Sequence, residues 1–417
     1  MLVCLLSCIL LLQTLLGSVG SARALSLVTG TGPSQTSASR IHDKDSTTDV
    51  LIVGAGPAGL VLAHALRDRG FKIRVLERRS SFRPVGSAVF LHPFAINSVR
   101  AISPQVADNL VEAATKIGTV AVRSITNEKN NIVFDQFDRA VDVLGAPFVV
   151  IKFWDMLQAL KKGLPEDIFS FGCDVQSYEE LDDGRLQIQY MTRNGNEERV
   201  ESQVAKTLID AGGIRSQIRK QLIPDTKSVP ACKAYMAVAP AEKALEIMKT
   251  GTMVQRELAF YSGDLDAMTV STMKNGDVWW TYTYFDDTMD SSLPKEELVK
   301  RLQKRFPPFL SELITATDDY LEIILADLPI SWKWGSGNVT LLGDSAHAQL
   351  PSLGLGCSAA FADTEELCRQ IDKLGLTPKA FRWYERLRMP QTAFLQWASR
   401  LGFSGIRFLG RQKEKDS

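Results

Sequence analysis

Hydrophobic positions change period several times along the chain, and each change marks an element. Val50 to Val53 form a short, unbroken apolar run, the signature of a buried strand that begins near Asp49. Gly54-Ala55-Gly56-Pro57-Ala58-Gly59 interrupts it, and Leu60, Ala63 and Leu66 then recur at helical spacing until Gly70. Phe71 to Leu76 alternates as a second strand and ends on Glu77. Residues 80–200 mix strands and helices. Leu186 to Tyr190 alternates between turn signals at Asp182-Asp183-Gly184 and Asn194-Gly195-Asn196. Residues 225–335 read as mostly strand, with runs at 231–239, 258–261 and 278–285, and a helix over 295–305. Trp280, Tyr282 and Tyr284 share one face of the third run. Ordinary sheet packing is the preferred reading of these aromatics, and lining of an apolar pocket is the alternative. Val339 to Gly343 is another apolar strand. Residues 384–411 form an amphipathic helix, with Phe394, Leu395, Trp397, Leu401, Phe403 and Phe408 interleaved with Arg400, Arg407 and Arg411.

The N-terminus follows a different pattern. Residues 2–16 are almost wholly apolar, and the first charged side chain is Arg23. The run is shorter than the ~20 residues of a membrane span. Ala22-Arg23-Ala24 suits a small-residue cleavage site, so residues 1–24 are expected to be a signal peptide. Residues 25–48 are rich in Ser, Thr and Gly and carry no acid before Asp43. This is the composition of a disordered linker or of a transit peptide. The first reading directs the chain to the endoplasmic reticulum or secretion. The second makes a two-part leader of the kind complex algae use for plastid import.

Composition narrows the partners. Apolar residues make up 45% and charged residues 23% of the 417, as in an ordinary globular protein. Lys+Arg and Asp+Glu both total 48, with no basic block, so no nucleic-acid partner is expected. Two of the six cysteines, Cys4 and Cys8, lie in the leader. Cys173, Cys232, Cys357 and Cys368 show no CxxC spacing, so neither a disulfide framework nor a metal site is expected.

Strand, glycine turn, helix, strand, acid is a dinucleotide-binding unit, and each part has a physical task. Gly54 permits the tight turn, Gly56 lets backbone approach a pyrophosphate, and Gly59 lets helix and strand pack closely. Pro57 and Ala58 open the helix whose free N–H groups and positive dipole end face the phosphates. Glu77 lies 23 positions after Gly54, where a carboxylate accepts from an adenosine ribose. An acid there favours a free 2′-hydroxyl, hence FAD or NAD over NADP. Arg78 is placed beside the adenine or the phosphates, although a solvated charge is the plainer reading.

Leu341-Leu342-Gly343-Asp344-Ser345-Ala346-His347, followed by Pro351, Gly354 and Gly356, resembles the second FAD motif of the group A FAD-dependent monooxygenases. That family includes p-hydroxybenzoate hydroxylase, kynurenine 3-monooxygenase and zeaxanthin epoxidase. The resemblance runs from residue 49 to about residue 405. It implies an α/β fold in which a Rossmann-like FAD-binding domain is interleaved with a mostly antiparallel β substrate domain, closed by C-terminal helices. The blocks would be 49–224 (FAD-binding, with an inserted substrate-domain segment), 225–335 (substrate domain) and 336–417 (second motif and helices). Asp344 would bind the ribityl chain, and Pro351, Gly354, Leu355, Gly356 and Ser358 would lie against the isoalloxazine ring. A helix starting near Ser358 would add its dipole to stabilise the anionic reduced flavin. His347 is read as a packing histidine in preference to a chemical one.

The resemblance implies a reaction as well. NAD(P)H, a transient co-substrate, reduces the flavin, and O₂ added at the flavin C4a as a hydroperoxide delivers one oxygen atom. The substrate would be an aromatic or isoprenoid small molecule, hydroxylated or epoxidised. No protein nucleophile is needed, and no catalytic residue is assigned. The C-terminal helix would pack on the FAD domain, with contact to a membrane surface as the alternative. Three positions depart from the family pattern. Gly212 replaces the aspartate of Ala-Asp-Gly-x-x-Ser-x-x-Arg, with Asp210 two residues earlier; Gly213, Ser216 and Arg219 match. Phe153 stands where an arginine is usual, beside Lys152, and Ser358 replaces an asparagine. These departures motivate the alternatives: an FAD-dependent dehydrogenase or reductase, or a flavoprotein without oxygenation, on the same scaffold.

Overall fold

The computed structural model describes residues 48–416 apart from 85–86, 126–130, 195–196, 252, 264–265 and 285–291, and side chains as far as Gly402. The leader, Phe285, Gly195 and Asn196 of the turn, and the side chains of Phe403, Arg407, Phe408 and Arg411 lie outside the described residues.

The first sheet is built on β1 (Thr48–Val53), crossed over by α1 (Pro57–Asp68) to the parallel β2 (Ile73–Glu77). On its other edge β1 pairs in parallel with the end of Glu197–Asp210, and that strand pairs in parallel with Val339–Leu341. Strands covered on both faces need apolar side chains in both directions. Accordingly Val50, Leu51, Ile52, Leu208, Ile209 and Leu341 are wholly buried. The early half of Glu197–Asp210 runs antiparallel to Leu186–Asn194, which pairs in turn with Cys173–Glu180.

The second sheet has seven strands, ordered Leu321–Asp327, Val229–Ala239, Val278–Tyr284, Asp266–Thr272, Glu257–Ser262, Thr119–Ser124 and Ile132–Phe134. All its pairings are antiparallel except Glu257–Ser262 with Thr119–Ser124. Register decides what its faces do. Tyr235 opposes Tyr282 and Ala237 opposes Trp280. These four pack with Leu298, Leu302, Phe309 and Leu310 of the helices Lys295–Arg305 and Pro308–Ala316. Trp280 and Tyr282 are thus core of the sheet-on-helix layer, in line with the preferred reading of the alternation. The opposite face carries Trp279, Val238, Leu258 and Phe260, which join Phe90 and Phe148.

The helices Gly356–Leu374 and Pro378–Asp416 close the molecule. The last is fastened to the first sheet by Tyr384, whose hydroxyl donates to Leu341 O at 3.1 Å. It reaches the second through Gln396, donating to Leu328 O at 2.9 Å, and the Arg400–Asp327 ion pair. Its outer side leaves Trp383, Leu387, Phe394, Trp397 and Leu401 exposed. No helix among the described residues is long and apolar enough to cross a membrane. The α/β architecture, the mostly antiparallel second sheet and the terminal helices agree with the expected fold.

Candidate functional site

The first glycine turn leaves the tip of β1 under close contact. Gly54 has φ +91°, and a Cβ there would lie 2.7 Å from Ala211 O. A Cβ on Gly59 would lie 2.0 Å from Gly54 O, so the helix meets the strand only without a side chain. A Cβ on Gly56 would meet nothing within 4 Å, because this residue faces open space. Gly56 is also the N-cap of α1 and offers no side-chain cap, with Pro57 at the first helical position. The free N–H groups of the first turn are therefore left for an anionic ligand. Glu77 shapes the same end: its carboxylate accepts from Ala55 N at 2.8 Å and Arg79 N at 2.9 Å.

The second motif approaches from the far side of Glu197–Asp210. Gly343, at φ +63°, turns the chain where a Cβ would press on Ala360 at 3.1 Å. Asp344 follows and opens onto the cleft floor. The surrounding protein pushes its pKa up, His347 pulls it down, and Asp363 adds to the upward push. Behind it, His347 Nε2 donates to Asp363 Oδ2 at 2.5 Å, and Arg388 of the last helix donates to Asp363 Oδ1 at 2.7 Å. His347 is buried against Trp334, with ring centroids 5.2 Å apart, which is the packing role expected of it. Burial raises the Asp363 pKa, but His347 and Arg388 outweigh it and hold the carboxyl below its ordinary value.

His92 was not singled out in the sequence. It is wholly buried, and Nε2 donates to Leu353 O at 3.0 Å, within the loop that follows the second motif. Its own N–H donates to Ser358 Oγ at 3.3 Å. Burial lowers its pKa to about 4, against the opposing pull of the Leu353 carbonyl. Phe90 packs on the same loop, 3.0 Å from where a Cβ on Gly354 would stand, and stacks on Phe148 at 5.8 Å.

Gly54, Gly56, Pro57, Ala58, Glu77, Arg78, Asp344 and Gly356 line one cleft with about 940 Å³ of open space. Gly59 lies just behind its wall. Pro351, Gly354 and Leu355 are in the adjoining loop and outside the lining, and the Ser358 hydroxyl is turned inward to His92 rather than toward the cleft. Arg79, Phe82, Phe153, Gly212 and Cys357 also line it. A smaller recess continues past Glu77 and Arg78 to Cys173, Asp174 and Arg215. Phe153 occupies the wall position where the sequence pattern wanted an arginine. Lys152 does not replace it, because its ammonium pairs with Asp277 of the second sheet. Only the three-dimensional approach of 173–175 and 215 to β2 reveals the recess.

A family model described as FAD binding domain matches residues 47–375. The chain belongs to this FAD-binding family. FAD is its cofactor. Among relatives, the chloroplastic zeaxanthin epoxidase of Nicotiana plumbaginifolia is 28% identical over 337 residues, 78% of this chain and 48% of that protein. The chain thus spans about half the length of the zeaxanthin epoxidases it matches. The 3-amino-4-hydroxybenzoate 2-monooxygenase of Streptomyces cremeus is 25% identical over 351 residues, 84% of this chain and 85% of the other. HpxO of Klebsiella pneumoniae, solved with FAD and uric acid, superposes with a TM-score of 0.74 at 18% identity, covering 88% of this chain and 92% of that one. At that identity the likeness is one of fold.

Proposed function

We propose that this FAD-binding chain is a monooxygenase, reduced by NAD(P)H, that adds one oxygen atom to a neutral aromatic or isoprenoid substrate. The observation that carries the reading is the wall beside the cleft. The loop 350–355 touches the inner face of the second sheet: Leu350 packs with Cys232 and Ala234, and Phe90 links Gly354 to Phe148 and Trp279. By register this face presents Met236, Val238, Trp279, Thr281, Thr269 and Phe260, with no charged side chain among them. Trp279 Nε1, Thr281 Oγ1 and both amide atoms of Gln349 are buried without hydrogen-bond partners. Buried polar groups of this kind are costly unless a ligand meets them. An apolar wall with a few unmatched donors suits a conjugated body bearing a hydroxyl or carbonyl oxygen, and it offers no cation to a carboxylate.

Bound FAD supplies the redox chemistry, taking a hydride from NAD(P)H and activating O₂. The chain's own residues bind and orient. The N-terminus of α1 would hold the pyrophosphate, Glu77 the ribose, and the recess by Asp174 and Arg215 the adenine. Asp344 would bind the ribityl chain, and the loop fixed by His92 and Phe90 would hold the ring. Purified holoprotein is expected to show substrate-stimulated NAD(P)H oxidation with neutral conjugated compounds, and ¹⁸O from labelled O₂ in the product. Turnover without label would instead make it a dehydrogenase or reductase. No stimulation across neutral and carboxylated panels would leave a flavoprotein without oxygenation.

Two finer readings accompany this one. The stripe Trp383, Leu387, Phe394, Trp397 and Leu401 recurs at steps of four, seven, three and four residues on the last helix, with Arg386 exposed beside Trp383, and we read it as a contact for an anionic membrane surface. Vesicle co-sedimentation tests it. The chloroplastic relatives favour plastid delivery by the leader, which imaging of a leader fusion would decide.

A further inference from the structure

The strand Glu197–Asp210 ends at the cleft on an aspartate, and the turn that follows has Gly212 where the family pattern has its carboxylate. Asp210 is wholly buried. Its carboxylate accepts from Gly212 N at 3.0 Å and from the Ser216 hydroxyl. A Cβ built on Gly212 would lie 2.8 Å from Asp210 Oδ1. The Asp210 carboxylate therefore fills the space into which any side chain on residue 212 would grow. The backbone of Gly212 is not in the left-handed region, so glycine is demanded there by space alone.

The same carboxylate is linked to both FAD motifs. On one side the turn 211–213 presents Ala211 O to Gly54, at the contact that excludes a side chain there. On the other, Ser216 Oγ accepts from Arg219 N at 2.8 Å. Arg219, only 2% exposed, donates through Nη1 to Ser345 O at 3.0 Å and Ala346 O at 2.7 Å. Its Nε and Nη2 have no hydrogen-bond partner, so Asp210 is the charge that offsets its burial.

We propose that Asp210 is the family's motif carboxylate transposed by two residues, a positioning residue that holds the turn 211–213 against Gly54 and Arg219 against the second motif, and so keeps the FAD cleft in shape. The proposal rests on the cleft's being the FAD site, which the flavin spectrum of the wild-type protein checks first and separately. Four variants then decide it: Asp210→Asn, Asp210→Gly, and the pairs Asp210→Gly with Gly212→Asp and Asp210→Gly with Gly212→Ala. FAD affinity is read by flavin fluorescence, and the setting of the ring by the visible spectrum.

The pair that returns a carboxylate at 212 is expected to bind FAD within about threefold of wild type, with the wild-type spectrum. Asp210→Asn, Asp210→Gly and the alanine pair are expected to bind about tenfold more weakly or worse, as lost charge-assisted hydrogen bonds imply. The alanine pair fills the same space without charge, so equal rescue by alanine overturns the proposal. Wild-type affinity in Asp210→Asn overturns it as well, and so does failure of the aspartate pair, whether it is unfolded or binds FAD weakly.

Discussion

Adding one methyl group to each of two glycines in the first turn should have opposite consequences. At Gly59 the new Cβ would sit 2.0 Å from Gly54 O, a backbone atom that cannot swing away. Gly59→Ala is expected to cost about 3 kcal/mol or more, seen as a lowered unfolding midpoint with or without FAD. At Gly56 the Cβ meets no protein atom, and φ −76° is ordinary for alanine. Gly56→Ala should fold as wild type and lose FAD affinity about tenfold, since only the ligand is crowded. Titration of the two purified proteins separates these outcomes. Both roles were legible in the sequence, because a glycine turn between strand and helix is a local pattern. Asp210 was not legible in the same way. Its reach to Gly212 depends on how the turn folds back, and the sequence showed only an acid displaced by two places.

Two buried groups set opposing pH responses. Asp210 is raised to about 6, chiefly by burial, so the folded chain binds more protons than the unfolded chain between 3.8 and about 6. Its stabilising contribution is full below 3.8 and is lost as pH rises through 6. His92 is lowered from 6.5 to about 4 by burial, so the folded chain binds fewer protons in that window. Its contribution is present above 6.5 and is lost as pH falls through 4. Each slope integrates to something on the order of 3 kcal/mol, and between pH 4 and 6 they offset one another. Asp210→Asn removes one of them. Urea unfolding of the FAD-free protein at several pH values should show the variant losing stability toward acid more steeply than wild type between pH 6 and 4.

Among elements, the last helix has the clearest mechanical link to the cleft. Arg388 bonds Asp363, which also accepts from His347 Nε2 and from Gly343 N at 3.2 Å, one residue before Asp344. Replacing Arg388 by Met keeps the bulk and removes the charge from a buried pair. The expected cost is about 3 kcal/mol, together with weaker FAD retention on a desalting column. An unchanged FAD affinity with lowered stability would show the helix to be a clamp on the fold alone. The helix itself was legible from its periodicity. Its attachment was not, because the Arg388–Asp363 pair joins two helices and depends on how they pack. Three of the seven strands of the second sheet, Val229–Ala239, Glu257–Ser262 and Val278–Tyr284, were found nearly to their ends, yet which face of Val278–Tyr284 meets the helices is settled by pairing with Val229–Ala239, and that pairing spans a long stretch of chain.

At the scale of the whole molecule, the outer stripe of the last helix and the proposed substrate wall suit the same kind of apolar surrounding. A substrate matched to an apolar, uncharged wall is poorly soluble, and a protein that rests on a lipid surface meets it there. Trp383→Ser with Trp397→Ser is expected to lower partition onto anionic vesicles about tenfold while leaving the visible flavin spectrum unchanged. Equal partition in the two proteins would remove the membrane reading.

The parallel heart of the first sheet brings together segments that begin at residues 48, 197 and 339. The cleft has no second wall until the last of these docks, and its loop waits on the helix that starts at Gly356. Everything from residue 48 to the helix at Gly356 must therefore be made before FAD has anywhere to bind. A chain threaded through a membrane in extended form carries no cofactor with it. Were this chain delivered that way by its leader, it would meet its flavin on the far side, and the supply of FAD there would set how much of it becomes holoprotein.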